Sequence, residues 1–559
     1  MLGIGRIRYL LDGKARTLIA DRHLKTLVKG HKADLDRFAL VKLIPMLDGV
    51  RHRFAYGEVD CGNIFVAQTV VARKFFRLDR GLFYGFNSAR QYEFFGICHG
   101  LSNKSNGLPN VMSRQMAEIR SNIEVMNVSP ASSLRGRVRL PGDKSISHRA
   151  AMVASLAEGT SGIRNFAESA DCSSTLSCLA RLGVSIERNE EALLIRGAGK
   201  RGFTKPQGPL DCGNSGTTMR LLSGVLAGQG FESELIGDES LSRRPMGRVI
   251  DPLTAMGAEI GSSDGSPPLS IRGPEKLHSI QYELPVASAQ IKSCVLLAGL
   301  NARGVTSVIE LTPTRDHTER MLEWFGAGID TADTADGKKI SISGESRLAA
   351  RDLAVPADIS AAAFFMVAAA CLPDSEIEMT GVGLNPTRTA VLEVLLSAGA
   401  QIELRGEREE SGEPVGDVIV RGGIGSTGNV NGPLRIDGER IANLIDEIPV
   451  LAVFGTQIDG GVEVRDAREL RVKESDRIAA VVSNLRAMGA DVTEFDDGFL
   501  VRRSELNGAE IDSFGDHRIA MAFAVAGLFA KGTTSIKGAG CIDVSFPSFF
   551  DALKGVTVP

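Results

Sequence analysis

Leu140-Pro141-Gly142-Asp143-Lys144-Ser145-Ile146-Ser147-His148-Arg149 is the stretch from which the fold of this chain can be read. Its lead-in, Arg137-Val138-Arg139-Leu140, reads as extended and runs into Pro-Gly. Beyond it, Ile146, Ala150, Val153 and Leu156 recur at helical spacing. Lys144 and Ser145 therefore stand at a helix N-terminus, where free backbone amides and the helix dipole favour an anion. Arg149 follows Ser145 by four residues and shares its face. One turn thus offers an ammonium, a hydroxyl, a guanidinium and free amides, a set suited to a phosphate or carboxylate. An ordinary capped helix with solvated charges would carry the same residues. A P-loop is excluded, because Asp143 separates Gly142 from Lys144.

Outward from this stretch the chain repeats itself. A G-[AV]-x-[IV] signature follows an apolar helical run at Gly183, Gly257, Gly326, Gly399, Gly489 and Gly555. Further matches at Gly461 and Gly508 lack the preceding amphipathic run, so the regular spacing carries the argument. The physical reading is a helix, a C-terminal capping glycine, then a strand. Each unit also holds an earlier helix rich in Ala, Leu and Val: Arg149–Ala157, Thr217–Ala227, Gln290–Leu300, Ser360–Cys371, Ile448–Phe454 and His517–Ala530. After it comes a strand such as Thr306–Leu311 or Glu376–Thr380. Six such units make an α/β repeat protein, and helices apolar all round belong at the centre of each domain.

The loops opening those central helices carry polar residues. They read Gly142-Asp143-Lys144-Ser145, Gly213-Asn214-Ser215-Gly216-Thr217-Thr218, Ala287-Ser288-Ala289-Gln290, Ala357-Asp358-Ile359-Ser360, Ile445-Asp446-Glu447 and Gly515-Asp516-His517-Arg518. Capping explains one Asp, Ser or Asn per loop. It does not explain the Lys and Arg beside them, whereas helix N-termini converging on an anionic ligand would.

Composition sets outer bounds. Apolar residues make up 43% and charged residues 24%, as in globular proteins, and no apolar run is long enough to span a bilayer. The N-terminus lacks a signal-peptide pattern. Eight cysteines without a C-x-x-C pair indicate neither a disulfide framework nor a zinc site, which fits a reducing, cytoplasmic setting.

Charge is unevenly placed. Residues 1–125 hold 20 Lys+Arg against 11 Asp+Glu, while the rest of the chain is acidic, and 13 of the 30 aromatic residues fall in this first segment. The shift marks a boundary. Aromatics such as Phe75, Phe76, Phe83 and Tyr84 interleave with Arg73, Lys74, Arg77, Arg80 and Arg90, a pattern able to hold single-stranded nucleic acid. The segment is a poor match to a transit peptide. The readings preferred for it are a start codon set upstream of Met126, so that it is not native, or a poorly ordered extension.

The motifs resemble those of 5-enolpyruvylshikimate-3-phosphate synthases, the family of 3-phosphoshikimate 1-carboxyvinyltransferases. The resemblance rests on Gly142–Arg149, Gly213–Arg220, Arg244-Pro245-Met246-Gly247, Arg471–Arg477 and Asp516–Met521, and spans about residues 134–559 in order. Ser288–Lys292, Arg315–Glu319 and Asn385-Pro386-Thr387-Arg388 resemble the class II subgroup. The resemblance implies a two-domain inverse α/β prism (the enolpyruvyl transferase fold) of six βαβαββ-type repeats, with the active site in the cleft. It implies crossings between domains near Gly142–Lys144 and Val355–Asp358. One domain would then join 126–143 to 357–559 and the other would be 144–356, with ligand binding closing the cleft.

The implied reaction transfers the enolpyruvyl group of phosphoenolpyruvate to the 5-hydroxyl of shikimate 3-phosphate and releases phosphate, without metal or cofactor. Its substrates bring two phosphates and two carboxylates, and arginine forks match both geometries. By resemblance, shikimate 3-phosphate meets Lys144, Ser145, Arg149, Ser288, Gln290, Asp446 and Lys473. Phosphoenolpyruvate meets Lys144, Gly216, Arg244, Gln290, Arg477 and Arg518. Asp446 resembles the carboxylate that takes the 5-hydroxyl proton, and Glu474 the group that protonates the enol methylene. Lys144 and Lys473 could assist. Opposite duties require different pKa values. The family is often monomeric, which sets the expectation of a monomer, and the acidic balance of residues 126–559 argues against a nucleic-acid partner as the lack of a long apolar run argues against a membrane.

The chain also departs from the pattern. Val544 stands where many relatives carry Lys, and Ala289 replaces a second Ser. Gly216 is Gly where the strongly glyphosate-tolerant class II form has Ala. A methyl there would crowd glyphosate, so the sequence predicts no more than intermediate tolerance. Two other readings compete. The sister transferase acting on UDP-N-acetylglucosamine pairs its Lys with Asn and carries a loop Cys, whereas here Ser145 follows Lys144 and no Cys precedes Arg244 in its loop. A non-catalytic sugar-phosphate binding protein would not need both Asp446 and Glu474.

Overall fold

The computed structural model describes residues 125–335, 337–424 and 432–559. What the sequence led us to expect of residues 1–125 therefore lies, Val125 apart, outside the described residues.

Six helices form the centre of the structure: Lys144–Leu156, Gly216–Ala227, Ala289–Gly299, Ile359–Cys371, Ile448–Gly455 and His517–Phe529. They match the six expected central helices to within a turn, except that the first opens five residues earlier, at Lys144. Their burial follows from composition. Ile359–Cys371 reads ISAAAFFMVAAAC and buries every residue but its last, and Ile448–Gly455 buries all eight. A helix apolar on all sides leaves no face for water and must sit inside a core.

Two hydrophobic cores form around these helices. One gathers residues of 128–140 with residues of 357–556, and the other gathers residues of 146–355. We call the surrounding structure the outer and middle lobes. Four-stranded sheets recur with one order of pairing. In the middle lobe, Leu210–Asp211 pairs parallel with Glu232–Ile236, which pairs antiparallel with Ser266–Arg272, which takes Glu259–Ser263 on its far edge. The sheet of Gln281–Glu283, Val305–Glu310, Gly337–Ser343 and Ile329–Thr334 repeats this, as does that of Leu434–Ile436, Val462–Val464, Gly498–Val501 and Val492–Phe495 in the outer lobe.

The repeat glycines behave as helix stops at five of the six positions. Gly183, Gly257, Gly326, Gly399 and Gly489 all have positive φ, where a side chain would be strained. The sixth differs. Gly555 lies inside the helix Phe549–Val556, which leads directly into a two-residue strand, Thr557–Val558. That strand pairs antiparallel with Ser133–Leu134, so the last strand joins the sheet that contains Ser133–Val138. Phe549 also stacks edge-on against Phe364 and Phe365, at 5.8 and 5.6 Å between ring centroids, tying this last helix to the core.

The chain passes between the lobes at two adjacent segments. The Asp143 amide donates to Pro356 O at 2.7 Å, and the Asp358 amide to Pro141 O at 3.0 Å. Asn165 closes the junction by donating its side-chain amide to Val355 O at 2.9 Å. A Cβ on Gly142 would stand 1.9 Å from Asn165 O, so only glycine lets the backbones approach this closely. Among the described residues no helix is long and apolar enough to cross a membrane.

Candidate active site

Five of the six central helices begin with a side-chain cap. Asp143, Ser215, Ser288, Asp358 and Asp516 accept from the amides of Ile146, Thr218, Ile291, Ser360 and Arg518. The helix Ile448–Gly455 has none. Capping thus accounts for one polar residue in most loops, and the cations beside them are left to meet other groups.

Arg518, from one of these loops, joins Arg244, Arg315 and Arg477 around two carboxylates. Asp446 lies 2.5 Å from Arg315 Nη2, and both Arg477 Nη1 and Arg518 Nε stand 3.4 Å from it. Glu474 is 2.7 Å from Arg477 Nη2 and 3.4 Å from Arg244 Nη1. Arg315 and Arg244 belong to the middle lobe and the two carboxylates to the outer lobe, so the pairs link the two lobes. Arg477 is itself fixed from behind by the buried Asp516, at 2.8 Å.

Burial alone would raise the pKa of both carboxylates. Around Asp446, Arg518, Arg315 and Arg477 overcome it and hold the acid well below the usual range. Around Glu474, Arg477 and Arg244 do the same. Both carboxylates are therefore held ionised here, because each faces several guanidinium groups.

The two lysines differ. Lys144 Nζ lies 3.1 Å from Asp171, whose charge outweighs burial and holds the ammonium above its ordinary pKa. Burial dominates at Lys473 and lowers it. Two buried histidines nearby are neutral. Burial pushes His148 down to about 3, and burial with Lys144 beside it lowers His517 well below its usual value.

Middle-lobe residues complete the wall. Gln290 accepts from Arg220 Nη1 at 2.8 Å and donates to Thr217 Oγ1 at 2.9 Å. A methyl added at Gly216 would stand 2.8 Å from Arg220 Nη1 and 3.3 Å from Arg244 Nη1. Arg149 is buried, and its bonds go to Ser145 O (2.9 Å), Ser293 Oγ (2.9 Å) and Thr318 Oγ1 (2.7 Å). It therefore braces the first turn of its own helix. Val544 ends the 3-10 helix Ala539–Val544, which packs on the helix His517–Phe529.

Three residues given no role from sequence belong to this arrangement. Arg315 stands in a quoted segment but had no assigned partner. Arg220 ends the Gly213–Arg220 motif, where its contact with Gln290 is invisible in one dimension. Asp171 lies in no motif, and its only signal is a helix start twenty-seven residues beyond Lys144.

Comparison with known proteins places the chain in a family. The profile of the family described as EPSP synthase (3-phosphoshikimate 1-carboxyvinyltransferase) matches residues 128–553. The 3-phosphoshikimate 1-carboxyvinyltransferase of Koribacter versatilis is 51% identical over 77% of this chain and 99% of its own length. That of Salinibacter ruber is 52% identical over 78% of this chain and 100% of its own. The solved structure of EPSP synthase from Acinetobacter baumannii shares 42% identity and a TM-score of 0.68, covering 78% of this chain and 98% of that one. Repeated sheets, capped central helices beside a cluster of arginines, and a profile matched from Val128 to Leu553 lead to one conclusion: the chain belongs to the EPSP synthase family.

Proposed function

We propose that the cleft performs the family's enolpyruvyl transfer with Asp446 as base, Glu474 as acid and Lys144 as the cation shared by both substrates. In the addition half, the 5-oxygen of shikimate 3-phosphate attacks C2 of phosphoenolpyruvate as its proton passes to Asp446. C3 takes a proton from Glu474. In the elimination half, C3 gives a proton back, the double bond reforms and the C2–O bond to phosphate breaks.

One observation carries this reading. Asp446 and Glu474 are the two carboxylates held by Arg477 together with arginines of the opposite lobe. An arginine engaged by a substrate anion supports a neighbouring carboxylate less, so its pKa rises. Phosphoenolpyruvate on Arg244 and Arg477 would bring Glu474 toward the range in which it carries a proton. Shikimate 3-phosphate on Lys473 would make Asp446 a better base by the same argument. Phosphoenolpyruvate is assigned to Lys144, Gly216, Arg244, Gln290, Arg477 and Arg518. Shikimate 3-phosphate is assigned to Lys144, Ser145, Arg149, Ser288, Gln290, Asp446 and Lys473, with Arg149 acting through the Ser145 turn.

The two lobes are assigned as domains that close over the substrates, swinging at 142–144 and 355–358. We assign the protein to the cytoplasm as a monomer, which light scattering of the purified chain checks. Phosphate release tests the chemistry. Release should need both substrates and should collapse in Glu474→Ala. Release from either substrate alone would refute the transfer.

A further inference from the structure

A second buried charge cluster lies behind the cleft, where the two crossing segments meet. Arg388 is buried, and its Nη1 stands 3.5 Å from Asp143 Oδ2. Its Nη2 is 3.7 Å from Asp358 Oδ1, 3.9 Å from Glu447 Oε1 and 2.5 Å from Ser360 Oγ. Ser360 in turn donates to Glu447. Three carboxylates therefore converge on a single guanidinium.

Each carboxylate belongs to a different part of the site. Asp143 precedes Lys144 and caps the helix that Lys144 opens, accepting from the Ile146 amide at 2.8 Å. Asp358 lies on the return crossing, accepting from the Ser360 amide at 2.8 Å and from the Lys144 amide at 3.4 Å. Glu447 is the neighbour of Asp446 in the chain. Arg388 ends a turn whose other end, Asn385, donates to Asp316 at 2.6 Å and Glu413 at 2.9 Å. Asp316 follows Arg315, the cross-cleft partner of Asp446.

We infer that Arg388 is a positioning residue that clamps both crossings, so that Lys144 from one lobe and Asp446 from the other are held in a single frame for transfer. Without its cation, Asp143, Asp358 and Glu447 would face one another in a buried space with only the more weakly acting Arg315 and Arg518 to offset them, and like charges there repel strongly. The crossings would then part or take up protons. In either case the first turn bearing Lys144 would shift relative to Asp446, and displacements of about 1 Å at reacting groups cost on the order of a hundredfold in rate. Arg388 touches no substrate in this scheme.

The inference rests on the transferase reading above, and its test separates the two. Arg388→Gln, Arg388→Lys, Asp143→Asn and the pair Asp143→Asn/Arg388→Gln are assayed beside wild type and Glu474→Ala, with amide hydrogen exchange on each. For Arg388→Gln we expect kcat to fall about tenfold to a hundredfold, with KM for both substrates within about threefold. Its activity should fall further as pH rises and the facing carboxylates ionise. Asp143→Asn/Arg388→Gln should regain at least about fivefold and lose that extra pH dependence, since Asn keeps the cap and removes one charge. The Asp143 and Asp358 amides should exchange at least about tenfold faster in Arg388→Gln, while the helix Ala289–Gly299 keeps its protection.

Arg388→Gln with kcat within twofold of wild type, or with no change in exchange at Asp143 and Asp358, overturns the inference. So does a pair variant no better than Arg388→Gln. If Arg388→Gln does not fold, Arg388→Lys carries the test. It keeps the charge but not the fork, and activity equal to wild type at every pH overturns the inference. Wild type without activity would refute the transferase reading, and the exchange arm would still decide whether Arg388 clamps the crossings.

Discussion

Arg477 in the cleft and Arg388 behind it are both buried arginines facing three carboxylates, yet their surroundings are opposite. Arg477 touches Glu474, Asp446 and Asp516 amid further cations, Arg244, Arg315, Arg518, Lys144 and Lys473. Arg388 touches Asp143, Asp358 and Glu447, with carboxylates in excess. Surplus cations depress the acids at the first site and leave room for substrate anions. Surplus carboxylates at the second give a different result. Burial and the charge of Asp143 raise Asp358 to about 6, while Arg388 overcomes the burial of Asp143 and lowers it. One buried guanidinium can thus serve exchange or clamping, and the sign of the remaining charge decides which.

Four measurements would break or sharpen that contrast. The largest effect is expected for Glu474→Ala, where loss of a general acid should lower kcat by about 100- to 10,000-fold in the phosphate-release assay. A loss under tenfold would remove Glu474 from proton transfer.

Next comes Asp358, read through pH. Its folded pKa of about 6 lies above an unfolded value near ~3.9, so its share of stability is full below about pH 4 and lost as pH rises through about 6. Asp358→Asn keeps the helix cap and abolishes this titration. The difference in unfolding free energy between wild type and variant should change by about 2–3 kcal/mol across that window in denaturant titrations. A constant difference would mean that Asp358 holds no proton.

Arg244→Gln should lower kcat/KM for phosphoenolpyruvate about tenfold to a hundredfold, the scale of one charge-assisted hydrogen bond, with little change in KM for shikimate 3-phosphate. Steady-state kinetics varying each substrate separates the two. The smallest effect is expected for Gly142→Ala. Its methyl would meet Asn165 O, shifting a crossing without altering any charge, at about 1–3 kcal/mol of stability in thermal unfolding. Full activity in that variant would show that the clamp is held by charge and tolerates displaced backbone.

Much of this architecture could be read in one dimension, because it repeats. All-apolar helices and the positive-φ glycines after helices impose a period, so five of the six central helices are legible to within a turn and the first differs only in opening five residues earlier. Gly555 differs because the helix Phe549–Val556 runs through it and passes directly into Thr557–Val558, which pairs with Ser133–Leu134. At the site, cations beside helix caps were legible as excess charge that capping could not explain. Their partners were not. Arg315 reaches Asp446 across 131 positions and Arg388 reaches Asp143 across 245, and no local pattern encodes such a pairing. The paired depression of Asp446 and Glu474 was likewise unreadable, since it depends on how many guanidinium groups converge in space.

The strand Ser133–Val138 has a further consequence, for synthesis. It pairs parallel with Glu376–Met379, and its first two residues also pair with the last strand of the chain. Between these partners the ribosome must make the whole middle lobe. At roughly 5–20 residues per second, the early strand waits on the order of ten to fifty seconds before Glu376 emerges. The middle lobe, whose core draws on residues 146–355 alone, can be complete by then. The outer lobe is finished only when Thr557 and Val558 arrive, so a nascent chain cut short by a few residues carries a folded insert inside an unfinished host.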